Sequence, residues 1–137
     1  MSIRVYQQIF FDLDHTLWDF ETNSRETLID LYFELRLKER GINTLEEFHT
    51  VYNHYNLIFW DRFRKGFINR DELRWKRMWR TLVDFKIADE KLARDMSERY
   101  LEILPTKKNL FHDTIDILEY LKAKSYPLHL ITNGFEK

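Results

Sequence analysis

Two short apolar segments, one near each end of the chain, constrain the fold more than any other feature of the sequence. Ile9-Phe10-Phe11 is followed by Asp12, and the segment 128–131 is followed by Thr132-Asn133-Gly134. Both segments are shorter than a typical helix and have polar neighbours, which is typical of strands buried on both faces of a parallel sheet. We therefore predict that they pair in one sheet, although most of the chain lies between them.

The region between these strands has the apolar spacing of helices. Residues 20–104 predict four helices with short connections, a small bundle. Each predicted helix start has its own capping residue: Asn23, Thr44, Asn69 and Asp89. The first three are also followed, three positions later, by a Glu. Gly41 and Pro105 are predicted to end the first and the last of these helices. A fifth helix, within 111–124, is expected to lead into the second strand.

The order of these elements predicts an α/β fold that is split by a helical insertion. The core is predicted to consist of residues 1–19 and 105–137, and the insertion of residues 20–104. In parallel sheets of this kind, ligands bind beyond the carboxyl ends of the strands. Both polar clusters follow such ends, so we expect the functional site there.

Composition excludes several classes of site and partner. The 137 residues carry a net charge of −1, which gives no electrostatic basis for binding a nucleic-acid polymer or an anionic membrane. The chain has no cysteine, so a disulfide framework or a thiolate metal site is impossible. No apolar stretch approaches the roughly 20 residues that span a membrane. We expect a cytoplasmic protein.

Asp12 and Asp14 are the first candidate catalytic residues. In extended backbone, side chains two positions apart point to the same side, so the two carboxylates should repel each other. A hard cation with a preference for oxygen ligands, such as Mg²⁺, would relieve that repulsion. One carboxylate can then attack a phosphoryl group and the other can serve as acid and base. The alternative is a helix cap or a solvated loop, but the position at a buried strand end favours the catalytic interpretation.

Thr132, Asn133 and Gly134 form the second candidate cluster. A hydroxyl and successive amides at a strand end that leads toward a helix are typical of anion-binding sites. The alternative is an ordinary Asn-Gly turn. Because both clusters follow neighbouring strands, we predict that this one binds the phosphate group.

The two clusters carry a resemblance to a known family. The segment 10–19, Phe-Phe-Asp-Leu-Asp-His-Thr-Leu-Trp-Asp, resembles the first motif of the haloacid dehalogenase (HAD) superfamily, and 130–134, Leu-Ile-Thr-Asn-Gly, resembles the second. The resemblance implies a Rossmann-like core with a helical C1 cap. It implies Asp12 as nucleophile and Mg²⁺ ligand, and Asp14 as acid/base that also binds Mg²⁺ through its backbone carbonyl. Thr132, Asn133 and Gly134 would hold the phosphoryl group.

Within the superfamily, the helical insertion is similar to that of the pyrimidine 5′-nucleotidase subgroup. The positions that carry this similarity are Asn56-Leu57, Trp60, Gly66, Ile68, Leu73-Arg74 and Arg77. The implied substrate is a small phosphorylated metabolite, a nucleoside 5′-monophosphate; the alternative is a sugar phosphate or a phosphoglycolate-type ester. The aromatic residues of the insertion are expected either to pack in its core or to stack on a base: Trp60, Phe63, Trp75 and Trp79.

Two parts of the family pattern have no counterpart in the sequence. These are a later lysine that stabilises the phosphoryl charge and a later acidic pair that completes the Mg²⁺ ligands. We therefore expect an N-terminal piece of a longer protein, inactive on its own, with exposed apolar surface that favours self-association. If the natural chain ended at Lys137, a non-enzymatic helical interaction module would be the alternative.

Overall fold

The computed structural model describes residues 9–12, 18–112, 114–125 and 128–131. The elements in chain order are β1 (Ile9–Asp12), α1 (Phe20–Glu34), α2 (Leu45–Arg64), α3 (Arg70–Asp84), α4 (Glu90–Ile103), α5 (Thr114–Ala123) and β2 (Leu128–Ile131). A single 3₁₀ turn, Leu104–Thr106, follows α4. The chain divides into two compact units, which we call the strand unit (Met1–Ser24 with Lys107–Lys137) and the helical unit (Arg25–Thr106).

In the strand unit, β1 and β2 form a parallel pair. The register places Ile9 opposite Leu128 and Asp12 opposite Ile131. Because the strands are parallel and in this register, their carboxyl ends lie at the same edge of the sheet. That edge is where the sequence placed the two polar clusters.

Helix α1 begins earlier than the sequence predicted. Asn23 was expected to cap it, and this is wrong, because the helix starts at Phe20. Asp19 fills the capping role instead: its carboxylate accepts hydrogen bonds from the Thr22 backbone N–H (3.2 Å) and the Thr22 hydroxyl (2.7 Å). Asn23 is fully buried inside the first turns, where its side chain bonds to Asn109.

The other predicted helix starts are confirmed. Thr44 accepts a hydrogen bond from the Glu47 N–H, and Asp89 accepts one from the Leu92 N–H. Asn69 and Glu72 form a complete capping box, in which each side chain accepts from the other's backbone N–H. Local sequence is therefore sufficient to predict these helix boundaries.

The predicted end of α1 at Gly41 is wrong. The helix ends at Glu34, and turns follow up to Gly41. Arg36 has a φ of 51°, and Gly41 has a φ of 122°, a conformation that favours glycine. The buried Tyr32 hydroxyl donates a hydrogen bond to the Ile42 carbonyl (2.8 Å), which fixes the end of this connection.

The helical unit has a continuous apolar core. Helix α3 packs against both α2 and α4. The buried residues of this core are Leu28, Leu31, Tyr32, Leu37, Ile42, Phe48, Tyr52, Met78, Leu82, Leu92, Ala93, Met96, Tyr100 and Ile103. Leu37 and Ile42 lie in the connection between α1 and α2. The others recur at helical spacing along each helix, which is why one face of each is buried. Among the described residues, no helix is long and apolar enough to cross a membrane.

Candidate functional site

Asp12 is the one predicted site residue that lies within the described part of the chain. It is the last residue of β1, and its backbone pairs with Ile131 at the end of β2. Thr132 is the next residue in the sequence after Ile131. Asp14, Thr132, Asn133 and Gly134 lie outside the described residues, so their predicted roles rest on the sequence.

The predicted ligands are chemically suited to a hard cation. The sequence offers the carboxylate of Asp12 and, two positions later, the carboxylate and the backbone carbonyl of Asp14. Mg²⁺ prefers such oxygen donors and is commonly held by one or two carboxylates together with substrate phosphate. Within the described ranges, no group of three or more His, Asp or Glu side chains could hold a metal ion.

Within the strand unit, hydrogen bonds join residues 18–23 to residues 109–110, and we call this arrangement the stem. In sequence, these two segments lie just before and just after the helical unit. The Asn23 side chain donates to the Asn109 carbonyl (3.0 Å) and accepts from the Asn109 backbone N–H (3.1 Å) and side-chain amide (2.8 Å). Asp19 N–H also donates to the Asn109 carbonyl (2.9 Å). Trp18 pairs with Leu110 in an antiparallel bridge. The Asn23 side chain therefore bonds to the Asn109 backbone as the backbone of a neighbouring strand would.

Sequence reasoning missed this stem. Asn23 had been interpreted as a helix cap, and Asn109 lies in an irregular segment without apolar periodicity. The contact joins residues 86 positions apart, so no local pattern could have indicated it. A buried asparagine can reproduce the donor and acceptor of a backbone amide, and that makes it suitable for such a position.

The helical unit contains a buried cation, Arg77, which is 3% exposed. Its Nη1 donates to Asn56 Oδ1 (2.8 Å), and its guanidinium lies 5.2 Å from the ring centre of Tyr100 and 5.9 Å from that of Tyr52. No carboxylate within the described ranges forms a salt bridge with it. Its Nε–H has no hydrogen-bond partner there either. A buried charge without a counter-ion is costly, and the two aromatic faces offset only part of that cost.

Two of the tryptophans of the helical unit pack against its core. Trp75 and Trp79 lie against the buried cluster, with ring centres 6.5 Å apart, and the Arg94 guanidinium lies 4.0 Å from the Trp75 ring centre. Of the two alternatives for the aromatic residues, packing therefore applies to this pair. Trp60 and Phe63 form a separate edge-to-face contact with ring centres 5.8 Å apart and remain half-buried.

Comparison with known proteins identifies the family. The model of the haloacid dehalogenase-like hydrolases matches residues 6–137, which is nearly the whole chain. The chain belongs to the haloacid dehalogenase-like hydrolase family. The predicted resemblance to this superfamily is thus confirmed, and the parallel strands with Asp12 at their edge lie within the matched region.

Two known proteins are similar to the chain, one in sequence and one in fold. The chain is 30% identical over 129 residues to the pyrimidine 5′-nucleotidase PynA of Streptococcus pneumoniae (strain ATCC BAA-255 / R6), an alignment that covers 94% of the chain and 52% of PynA. Its fold resembles that of YfnB from Bacillus subtilis, which is described as a HAD-hydrolase and was crystallised bound to magnesium. The TM-score is 0.81 and the identity 22%, with 96% of the chain and 54% of YfnB covered. The chain therefore spans about half the length of either relative.

Proposed function

We propose that the protein to which this chain belongs is a Mg²⁺-dependent phosphatase that hydrolyses nucleoside 5′-monophosphates through an aspartyl-phosphate. The observation that carries the proposal is the register of the parallel strands. Asp12 ends β1 opposite Ile131, the residue directly before Thr132. Family membership and the similarity to a pyrimidine 5′-nucleotidase support the same activity and substrate class.

In this proposal residues 1–19 and 105–137 belong to the catalytic core, and residues 20–104 form a cap. This proposed division is similar to that of the two compact units. The helical unit has an apolar core of its own, and the strand unit has the pair of parallel strands. A cap of this kind selects substrates by their leaving group, and the core supplies the chemistry.

The first step of the proposed reaction transfers the phosphoryl group to Asp12. A carboxylate oxygen of Asp12 attacks the phosphorus, and the bond between phosphorus and the ester oxygen breaks. Asp14, protonated at this stage, gives its proton to the departing alcohol oxygen. The Thr132 hydroxyl and the amides of Asn133 and Gly134 donate hydrogen bonds to the phosphoryl oxygens.

The second step releases inorganic phosphate. Asp14, now ionised, takes a proton from a water molecule, whose oxygen attacks the phosphorus. The bond between phosphorus and the Asp12 oxygen breaks, so Asp12 and protonated Asp14 return to their starting states. One water is consumed for each ester hydrolysed.

Asp12, through its carboxylate, and Asp14, through its backbone carbonyl, are the residues of this chain that would hold Mg²⁺. When bound, the ion neutralises charge between the nucleophile and the phosphate so that two anions can approach. The proposal predicts that the chain alone has little activity, because the lysine and acidic pair of the family pattern have no counterpart in its sequence.

The test uses a chimera in which residues 1–137 are followed by the part of PynA that the chain does not match. With Mg²⁺ and a panel of nucleotides and sugar phosphates, we expect phosphate release that is highest for pyrimidine 5′-monophosphates. Asp12→Asn should reduce kcat by about 10³-fold or more, since the variant lacks the nucleophile. Glu21→Gln, an exposed acidic residue in the first turn of α1, is the control. Equal activity of native and Asp12→Asn chimeras would overturn the assignment of Asp12.

We also propose that the 137-residue chain self-associates. Its strand unit exposes several large apolar side chains: Phe10, Leu110, Ile115, Ile117 and Tyr120. Such surface promotes association when nothing covers it. Sedimentation velocity should show a concentration-dependent shift to larger species that Ile115→Lys reduces, whereas a concentration-independent monomer would refute self-association.

A further inference from the structure

The segment 12–19, which we call the aspartate segment, is held at both of its described ends. At one end, Asp12 is the last residue of β1 and pairs with Ile131. At the other end, Trp18 belongs to the stem, and its indole N–H donates a hydrogen bond to the Lys107 carbonyl (3.0 Å). Five residues connect Asp12 to Trp18. A connection that is fixed at both ends has fewer conformations available than one that is fixed at a single end.

The second of these ends is held through the side chain of Asn23. Asp19 donates its backbone N–H to the Asn109 carbonyl (2.9 Å). The Asn23 side chain donates to the same carbonyl (3.0 Å) and accepts from the Asn109 backbone N–H (3.1 Å). Because Asn23 is fully buried, water cannot take over these bonds unless the stem opens. Asn23 therefore fixes the Asn109 backbone to which the aspartate segment is bonded.

Chain connectivity links this end to Asp14. In the sequence, Asp14 follows Asp12 by two residues and precedes Trp18 by four. Chain lengths of two and four residues span at most about 7 and about 14 Å, so the two fixed ends limit where the Asp14 backbone can lie. Alignment for catalysis is far more demanding, since a displacement of about 1 Å can reduce a rate on the order of 100-fold. How firmly the stem is held should therefore affect how well the Asp14 carboxyl is aligned.

We propose that Asn23 is a positioning residue for Asp14. Through the Asn109 backbone it holds the Trp18–Asp19 end of the aspartate segment, and this end aligns the Asp14 carboxyl with the oxygen that it protonates. The inference rests on the proposed function, because it gives Asn23 a part in the chemistry of Asp14. Asn23 touches no reacting atom, and Asp12 keeps its place through the strand pairing when the stem is broken.

The proposal predicts a loss of rate that depends on the leaving group. The alcohol of a nucleotide leaves poorly as an anion, so the bond between phosphorus and the ester oxygen breaks with transfer of the Asp14 proton to that oxygen. p-Nitrophenolate is a stable anion and leaves without a proton. Misalignment of Asp14 should therefore slow phosphoryl transfer from uridine 5′-monophosphate (UMP) much more than from p-nitrophenyl phosphate. A smaller folded fraction would reduce both rates by the same factor.

The test measures the release of uridine or p-nitrophenol in a single turnover of the PynA chimera with Mg²⁺. In Asn23→Ala, we expect the rate with UMP to fall about tenfold or more and the rate with p-nitrophenyl phosphate to fall less than about twofold. Asn69→Ala is the control, because it destabilises the helical unit through loss of a helix cap and leaves the stem intact. It should leave both rates unchanged.

Asn109→Ala is a second, milder variant. It removes one of the three bonds of the Asn23 side chain and keeps the two that involve the Asn109 backbone. With UMP it should lose less than Asn23→Ala, with the same difference between the two substrates. It therefore tests the proposal even if Asn23→Ala fails to fold.

A further measurement on the 137-residue chain does not depend on activity. Amide hydrogen exchange at Asp19 reports how firmly the stem is held, and it should accelerate about tenfold in Asn23→Ala and not at all in Asn69→Ala. Unchanged exchange at Asp19, or equal losses of rate with the two substrates, would overturn the role of Asn23 alone. An inactive native chimera would instead refute the proposed function, and this role with it.

Discussion

The helical unit and the strand unit differ in where their apolar side chains lie. Every apolar residue that the structure shows as buried belongs to the helical unit, from Leu28 to Ile103. In the described part of the strand unit, large apolar side chains such as Phe10 and Ile115 are more than half exposed, and the two most buried side chains are polar, Asn23 and Thr114. The candidate catalytic residues are nevertheless all in the strand unit. Among the described side chains, the buried apolar residues therefore lie in one unit, and the candidate catalytic residues lie in the other.

The largest effect is expected from a substitution that creates a cavity in the core of the helical unit. Leu82 is fully buried, so Leu82→Ala should reduce the free energy of unfolding by about 2–5 kcal/mol. Leu57 is the control, since its side chain is 68% exposed on α2 and Leu57→Ala should change stability by less than about 0.5 kcal/mol. Urea denaturation followed by tryptophan fluorescence measures both. Similar losses in the two variants would mean that burial in the helical core does not determine stability.

The second test concerns the polar stem of the strand unit. Asn23→Ala removes three hydrogen bonds to Asn109 and leaves the Asn109 backbone N–H without its acceptor, whereas the Asn109 carbonyl keeps the bond from the Asp19 N–H, so the substitution should cost roughly 1–3 kcal/mol. Asn109→Ala is the control, because it removes one of the three and keeps the two that involve the backbone. Amide hydrogen exchange at Asn109 should accelerate strongly in Asn23→Ala and weakly in the control. Unchanged protection in Asn23→Ala would show that the stem is held by other contacts.

A smaller effect is expected at the start of α3. Asn69→Ala removes the capping box with Glu72 and should reduce stability by about 1 kcal/mol. Asn53→Ala, on the exposed side of α2, is the control and should have almost no effect. Far-ultraviolet circular dichroism during thermal unfolding measures the difference. If the two variants unfold at the same temperature, the core and not the cap determines where α3 begins.

The smallest expected effect is the pH dependence contributed by Glu72. Hydrogen bonds from Lys76 and from the Asn69 backbone lower the pKa of this carboxyl. A lowered folded-state pKa means that the stabilising contribution is complete above the unfolded-state pKa and is lost as the pH falls through the folded-state value. Glu72→Gln should therefore lose less stability than the native chain when the pH is lowered through the acidic range. Parallel acid-denaturation curves would contradict this.

Local sequence determined much of the fold but not its long-range polar contacts. Thr44, Asn69 and Asp89 could be predicted as helix starts because capping depends on residues three positions apart. The same rule failed at Asn23, because Asn109, 86 residues away, competes for that side chain and Asp19 provides an equivalent cap. Gly41 failed as a helix end since the chain turns earlier, at Leu35 and Arg36.

The candidate site could be predicted only where the sequence pattern and backbone register bear on it. Asp12 follows from an apolar strand that ends in a carboxylate, and its pairing with Ile131 places it next to the start of the second cluster in sequence. Arg77 was noticed through its resemblance to a family pattern, but its burial between two tyrosines could not be read from the sequence. An arginine at helical spacing more often lies on a solvated face, and three-dimensional packing decides otherwise here.

The central claim is that Asp12 is the residue that becomes phosphorylated. The most direct measurement is mass spectrometry of the chimera quenched in acid during turnover of a pyrimidine 5′-monophosphate with Mg²⁺. We predict a phosphoryl group on the peptide that contains Asp12, and its absence in Asp12→Asn. Phosphorylation of a different residue, or full turnover by Asp12→Asn without any phosphorylated peptide, would contradict the account.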